Sequence, residues 1–202
     1  MASFFYFDLG NVLAHFSHER ECQQLAAVLG VTAGEVREAV FDSDLQTRYE
    51  TGLISTSEFC HELNRRFHTS APVQQLVEAV SDIFWLNDDI FPLIEGVRRS
   101  GMRTGILSNT CVAHWEFLAQ GLLARHLTLF DTVVLSFEER VMKPHRLIYE
   151  RAAEHARTPP AEILFVDDRI DNVEGARDAG FDARLFSSVE DLKVALETEG
   201  IL

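Results

Sequence analysis

The sequence has few cysteines, and the three that it has lie far apart. Cys22, Cys60 and Cys111 include no pair with the spacing of metal ligands. Their odd number and wide separation also argue against a disulfide framework. Proteins without disulfides are typical of reducing compartments, so the sequence predicts a cytoplasmic protein.

Basic residues are scarce as well. Eighteen lysines and arginines stand against 32 aspartates and glutamates, which gives a formal net charge of −14. This balance argues against a nucleic-acid partner and against adsorption to anionic membranes, because both need a basic face. No apolar stretch is long enough to span a bilayer, and the apolar start reaches Asp8 without a basic leader, unlike a signal peptide. A small anionic substrate stays possible, because a bound cation can reverse the potential at one site.

The sequence divides into two regions that differ in their predicted secondary structure. Residues 17–85 show almost wholly helical patterns, including two capping boxes that begin at Thr32 and Ser55. From about residue 88, helices and short apolar strands alternate, which is typical of a parallel sheet covered on both faces. We therefore predict an α/β fold, a Rossmann-like three-layer α/β/α core of residues 1–16 and 86–202. Residues 17–85 are predicted to form a helical cap inserted after the first strand.

Polar residues follow each predicted strand of this core. Taken singly, each has an ordinary interpretation as a helix cap, a turn residue or a surface side chain. Taken together they converge, because the carboxyl ends of parallel strands meet at one edge of the sheet, where ligands bind. The residues at these ends are Asp8, Ser108, Asn109, Lys143, Asp167 and Asp168, with Asp171 and Asn172 a little further on.

This combination of residue types suits phosphoryl transfer. Crowded carboxylates repel one another unless a hard cation binds, and Mg²⁺ prefers oxygen ligands. A carboxylate can act as a nucleophile toward phosphorus, while a lysine and polar donors balance the charge of the moving phosphoryl group. The sequence therefore predicts a magnesium-dependent enzyme that acts on phosphate esters.

Four motifs in order make the whole chain resemble the haloacid dehalogenase-like hydrolase superfamily. They are Asp8-Leu9-Gly10-Asn11-Val12, Leu107-Ser108-Asn109-Thr110, Lys143-Pro144, and Val166-Asp167-Asp168-Arg169-Ile170-Asp171-Asn172 with Gly175, Ala176 and Gly180. The residue sequence from Phe7 to Val12 most resembles the first motif of the branch that contains bacterial glucose-1-phosphate phosphatases and the phosphatase domain of epoxide hydrolases.

The resemblance implies a role for each motif residue. Asp8 would be the nucleophile, Ser108 and Asn109 would hold the phosphate, and Lys143 would steady Asp8 and the phosphoryl group. Magnesium would be bound by Asp8, the carbonyl of Gly10 and Asp168. Asp167 would support the metal directly or through water, and Asp171 would support the site from further away.

One position departs from the pattern. Most phosphatases of this superfamily carry a second aspartate two residues after the nucleophile, where it serves as general acid and base. Here that residue is Gly10, and the loss of such a group typically lowers the rate by about 10²–10⁴-fold. Three explanations stay open: a cap residue such as His15 or His18 substitutes, the leaving group needs little help, or the protein is slow or inactive.

The predicted function is a magnesium-dependent phosphatase of a small phosphorylated metabolite, such as a hexose 1-phosphate, working through an aspartyl-phosphate. The alternatives are a metal-independent 2-haloacid dehalogenase and a non-catalytic protein that binds phosphorylated metabolites. Arg48, Tyr49 and Trp85 are candidates for substrate contact from the cap, with packing as the competing interpretation of each. The chain is expected to act as a monomer or homodimer.

Overall fold

The computed structural model describes residues 2–202, and its centre is a parallel sheet of five strands. In space the strands follow the order β5-β4-β1-β6-β7, so the first strand of the chain lies in the middle. Helices cover both faces of the sheet, which confirms the predicted α/β fold. The strands are β1 (Phe4–Phe7), β4 (Arg103–Ser108), β5 (Thr132–Leu135), β6 (Ile163–Asp167) and β7 (Asp182–Leu185).

Strand β1 is fully buried, and its side chains alternate between two hydrophobic cores. Phe5 and Phe7 belong to one core, whereas Phe4 and Tyr6 belong to the other. A strand buried on both faces is apolar throughout, which is why four aromatic residues in succession are accommodated. Phe7 pairs with its neighbours on both sides, and the backbone N–H of Asp8 donates to Val166 at 2.9 Å. The ends of the three central strands are therefore level.

The helices that flank the sheet follow the strands as the sequence predicts. Their apolar faces complete the two cores on either side of β1. The segment after β4 begins as an α-helix and continues as a π-helical turn, Leu118–Leu122. The flanking helices are α6 (Ile90–Arg99), α7 (Val112–Phe117), α8 (Ser136–Glu139), α9 (Arg146–Ala156), α10 (Ile170–Asp178) and α11 (Val189–Thr198).

Five further helices lie between β1 and the rest of the sheet in sequence. They share a hydrophobic cluster, with Leu25, Phe59 and Leu76 among its buried members, and Cys111 and Ala113 from the segment after β4 join it. Both capping boxes form as predicted, Thr32 with Glu35 and Ser55 with Glu58. These helices are α1 (His18–Leu29), α2 (Ala33–Val40), α3 (Leu45–Glu50), α4 (Thr56–Phe67) and α5 (Val73–Ser81).

A short antiparallel ribbon brackets this helical segment. Strand β2 (Ala14–Phe16) precedes α1, and strand β3 (Phe84–Leu86) follows α5. The expectation that residues 17–85 are almost wholly helical is therefore wrong at its end. Strands of three residues are too short to show a period of two, so only the tertiary pairing reveals them. Among residues 2–202, no helix has the length and apolar character needed to cross a membrane.

Candidate active site

The ammonium group of Lys143 joins two carboxylates at the carboxyl edge of the sheet. Its Nζ lies 2.7 Å from Oδ1 of Asp8 and 2.6 Å from Oδ2 of Asp167, and it also donates to the carbonyl of Leu107 at 2.9 Å. The side chains of Lys143 and Asp167 are fully buried, and that of Asp8 is 10% exposed. Residues separated by more than 100 positions thus form one charged cluster.

Lys143 reaches this position because the loop that carries it is held on two sides. The side-chain amide of Asn109 donates to the backbone carbonyl of Lys143 at 2.8 Å and accepts from its N–H at 2.8 Å. On the other side, a Cβ at Gly175 would lie 2.6 Å from the carbonyl oxygen of Pro144. Glycine therefore lets α10 approach the loop closely, which explains this part of the fourth motif.

Asp167 has both carboxylate oxygens engaged by the protein. Oδ1 accepts from the backbone N–H of Arg169 at 2.9 Å, and the amide of Asn172 donates to both oxygens at 3.0 and 3.1 Å. With Lys143 on Oδ2, this carboxylate is satisfied without a metal ion. Its observed contacts fix the lysine, and through the lysine they fix Asp8.

Asp168 lies beside Asn11, at the mouth of the same cluster. The amide of Asn11 donates to Oδ2 of Asp168 at 2.8 Å. Asn11 has φ of 55°, in the left-handed region, where asparagine is one of the few residues with side chains that are tolerated. The turn that follows β1 therefore depends on this residue type for its backbone shape, and it also orients a carboxylate from the opposite end of the chain.

The charges in this cluster perturb one another strongly. Burial raises the pKa of Asp8 to about 8, and Asp167 adds to this effect while Lys143 opposes it. Burial alone would lower the pKa of Lys143, but the charges of Asp8 and Asp167 raise it above its ordinary value. The lysine is therefore held as a cation, and the crowded carboxylates favour additional positive charge.

The donor set fits a divalent metal. Asp8, Asp167 and Asp168 each offer a carboxylate oxygen, and these three atoms lie within 4.8 Å of one another. Among residues 2–202, the hydrogen bonds and ion pairs to Asp8 fall on Oδ1, which leaves Oδ2 available to a cation or a substrate. Hard oxygen ligands of this kind suit Mg²⁺ better than the softer transition metals.

A cleft of about 400 Å³ opens over these residues. One wall consists of the strand-end loops of the sheet, and the other consists of residues from β2, α1 and α3. The lining residues are Asp8, Gly10, Asn11, Asn109, Met142, Lys143, Pro144, Asp168, Arg169, Asp171 and Asn172 on the sheet side, and Phe16, His18, Gln46 and Glu50 opposite.

Most of the predicted site residues meet in this cleft, with differences in detail. Ser108 is buried and lines a smaller cavity that shares Gly10 and Asn109 with the cleft. The side chain of Asn109 is bonded to the loop of Lys143, as described above. Asp171 pairs with the exposed Arg169 at 2.7 Å, at the rim of the site.

The predicted substrate-contact residues lie elsewhere in the described part of the chain. Tyr49 is 1% exposed, stacks on Phe59 at 4.6 Å, and its hydroxyl accepts from the N–H of Ala113. Packing is therefore the interpretation that the structure favours for Tyr49. Trp85 is 49% exposed on β3 and, like Arg48, is not among the residues that line the cleft.

Sequence reasoning missed the residues that face the strand ends from the other wall. Phe16, Gln46 and Glu50 carry no local motif, and they reach the cleft only because β2 and α3 pack over the sheet edge. Asn11 and Asn172 stand inside the predicted motifs, but their hydrogen bonds to Asp168 and Asp167 were not foreseen.

Comparison of the sequence with known proteins identifies the family of this chain. A sequence model of the haloacid dehalogenase-like hydrolases matches residues 5–180. A phosphatase of Mycobacterium tuberculosis is 27% identical over 193 residues, which cover 89% of this chain and 84% of that protein. The glyceraldehyde 3-phosphate phosphatase of Methanopyrus kandleri is 35% identical over 94 residues, 46% of this chain, and the match spans only 39% of that relative's length.

A similar fold is found among solved structures. A HAD family enzyme of Bacteroides thetaiotaomicron, crystallised with magnesium and inorganic phosphate, superposes with a TM-score of 0.84. The match covers 93% of this chain and 95% of that one, at 21% sequence identity. At this identity the similarity shows a shared fold.

Proposed function

The chain belongs to the haloacid dehalogenase-like hydrolase family, and on this premise we propose that it is a magnesium-dependent phosphatase of small phosphate monoesters. The observation that carries the proposal is the buried lysine between Asp8 and Asp167, with Asp168 close by. The two relatives named as phosphatases support the same reaction class.

In this proposal Asp8 is the nucleophile. Its carboxylate attacks phosphorus, the bond from phosphorus to the leaving oxygen breaks, and an aspartyl-phosphate forms. Lys143 fixes Oδ1 of Asp8 and supplies a positive charge beside the transferring group. Water then attacks phosphorus, which releases inorganic phosphate and restores Asp8.

Magnesium would be held by Asp8, the backbone carbonyl of Gly10 and Asp168. When bound, the ion supplies positive charge to the phosphoryl oxygens. Asp167 serves this site indirectly, because its oxygens are already bonded to Lys143, Arg169 and Asn172. Ser108 and the loop of Asn109 are proposed to contact the phosphate oxygens.

We further propose that residues 17–85 act as a cap over a core of residues 1–16 and 86–202. The β2–β3 ribbon forms the connection, and the five cap helices pack around a hydrophobic cluster distinct from the two that flank the sheet, which Cys111 and Ala113 of the core join. Such a cap excludes water and sets specificity. Three observations support a small phosphorylated metabolite as the substrate: the size of the cleft, the residues of the first motif, and the small substrate in the name of one relative. Our first candidate is a hexose 1-phosphate.

The test is phosphate release from p-nitrophenyl phosphate, followed by a panel of phosphorylated sugars. We expect turnover that requires magnesium and that disappears in Asp8→Asn, a nearly isosteric change. Asp178→Asn, on the exposed side of α10, is the matched control and should retain full activity. Release of halide from a 2-haloacid without metal would instead support a dehalogenase, and binding of phosphate esters without turnover would support a non-catalytic protein.

A further inference from the structure

The space beside the nucleophile is already occupied where a second aspartate would stand. A Cβ built on Gly10 would lie 2.9 Å from Cε1 of Phe16, closer than real Cβ atoms approach. The ring of Phe16, from β2, therefore fills the volume that a side chain at position 10 would need. Where the leaving group needs a proton, position 10 does not supply it, and the other residues that line the cleft are the candidates.

Neither histidine near the start of the cap suits this task. His15 lies on β2 with its ring 5.8 Å from that of Trp85, and it is not among the residues that line the cleft. His18 does line the cleft, but its ring packs edge-on against Phe16 and Phe41. Burial and the nearby charge of Arg37 lower the pKa of His18, so the ring is neutral at neutral pH and is a poor proton donor.

Glu50, the last residue of α3, lines the cleft opposite Asp8 and is held in place from both ends. Its backbone carbonyl accepts from the hydroxyl of Ser136 at 2.6 Å, and that hydroxyl also accepts from the N–H of Thr110. Its carboxylate Oε1 accepts from the amide of Gln46 at 2.7 Å. Ser136 thus fixes the backbone of Glu50, and Gln46 orients its carboxylate.

The surroundings of Glu50 favour its protonated form. Burial raises the pKa of Glu50, while the hydrogen bond from Gln46 and the charges of Arg169 and Lys143 oppose this effect. The charge of Glu50 in turn adds to the effect of burial in raising the pKa of Glu21, on α1. A raised pKa makes a carboxyl group hold its proton more firmly than an ordinary glutamate does, which suits general acid catalysis.

We infer that Glu50 is the general acid and base of this site and replaces the aspartate that Gly10 lacks. This inference rests on the proposed phosphatase function. As Asp8 attacks and the bond to the leaving oxygen breaks, that oxygen takes the bond's electron pair and the proton of Glu50. In the second step the Glu50 carboxylate takes a proton from water, the water oxygen attacks phosphorus, and the bond to Asp8 breaks.

The test compares Glu50→Gln with the unchanged protein on p-nitrophenyl phosphate and phenyl phosphate. The two substrates are nearly equal in size, but phenolate needs a proton to leave and p-nitrophenolate does not. We expect kcat/KM to fall by about 10²-fold for phenyl phosphate and to stay nearly unchanged for p-nitrophenyl phosphate. Because the second step also needs the base, the variant should release a burst of p-nitrophenolate, close to one equivalent per enzyme, before slow turnover.

The controls separate this role from a structural one. Glu38→Gln, exposed on α2, should behave like the unchanged protein on both substrates. The role of Glu50 would be overturned if Glu50→Gln lowered kcat/KM equally on both substrates or changed it on neither. It would also be overturned if His18→Gln, and not Glu50→Gln, showed the selective fall on phenyl phosphate. If Glu50→Gln fails to fold, Glu50→Asp, whose carboxyl is drawn back by one methylene, is judged by the same ratio. If the unchanged protein hydrolyses neither ester, the phosphatase function fails and this role fails with it.

Discussion

Replacing Lys143 by methionine removes the cation that separates two buried carboxylates. The change keeps an apolar stem of similar length but leaves Asp8 and Asp167 without their ion pairs at 2.7 and 2.6 Å. Their nearest ligand oxygens are no more than 4.8 Å apart. At an effective dielectric constant of about 20, two unit charges at that distance repel by about 3 kcal/mol or more.

A second estimate agrees with the first. Removing one partner from a buried ion pair typically costs about 3–5 kcal/mol, because the other charge stays buried and uncompensated. We therefore expect Lys143→Met to lower the free energy of unfolding by about 3–5 kcal/mol. The protein also loses its activity, because the positive charge beside the phosphoryl group is gone.

The loss should depend on pH in a defined direction. The pKa of Asp8 is about 8 even with Lys143 present, well above its ordinary value, and it rises further without the lysine. Both folded proteins bind a proton that the unfolded chain has released, so both lose stability as the pH rises from the ordinary aspartate range. The unchanged protein stops losing it near pH 8, whereas the variant goes on losing stability above that pH. The destabilisation is thus largest in alkaline buffer and shrinks on acidification.

The assay is urea unfolding followed by circular dichroism across this pH range, with Lys193→Met as the control. The chain has just these two lysines, and Lys193 is half exposed on α11 with a 3.8 Å contact to Glu197. Surface pairs of this kind contribute about 0–1 kcal/mol, so the control should stay close to the unchanged protein. Equal stability of the two lysine variants in alkaline buffer would refute the electrostatic reasoning.

Other changes probe separate parts of the structure. Glu21 is fully buried, and burial together with the charge of Glu50 raises its pKa to about 8, so the folded state holds an extra proton between the ordinary glutamate range and that pH. The unchanged protein should therefore lose stability on going from about pH 5 to about pH 8, while Glu21→Gln should lose less. An equal loss of unfolding free energy in the two proteins over this pH range would contradict this. Gly52→Ala should lower both stability and kcat, because Gly52 has φ of 63° and a Cβ there would collide with the carbonyl of Phe137. Thermal melting and steady-state kinetics measure the two effects. Unchanged values would contradict the docking of the Gly52 loop against Phe137. Asn109→Ala removes both hydrogen bonds to the backbone of Lys143, so we expect a clear fall in kcat with little change in the melting temperature. A lower melting temperature with kcat unchanged would count against a positioning role.

The sequence was sufficient to predict the strand ends because parallel topology brings them to one edge whatever the loops do. Asp8, Lys143 and Asp168 were placed by that rule and meet in one cleft. It could not predict Phe16 or Glu50 as neighbours of Gly10. Their positions follow from a three-residue ribbon and from the docking of α3 against Ser136, which are tertiary contacts without a local signal.

The individual hydrogen bonds were also beyond sequence reasoning. Asn109 is predicted to hold phosphate oxygens, and the structure adds that its side-chain amide is bonded to the backbone of Lys143. The same loop is approached closely by α10 at Gly175, where a Cβ would lie 2.6 Å from the carbonyl oxygen of Pro144, and packing sets that distance. Residue type and order indicate the chemistry of the site, whereas the partner of each polar group depends on the assembled fold.

The most direct measurement is a crystal structure of the protein with magnesium and beryllium fluoride, a mimic of a phosphoryl group. We expect one ion about 2.0–2.1 Å from oxygens of Asp8, Asp168 and the Gly10 carbonyl, with the fluoride complex on Oδ2 of Asp8. An ion bound away from Asp8, or a fluoride complex on any other side chain, would contradict it.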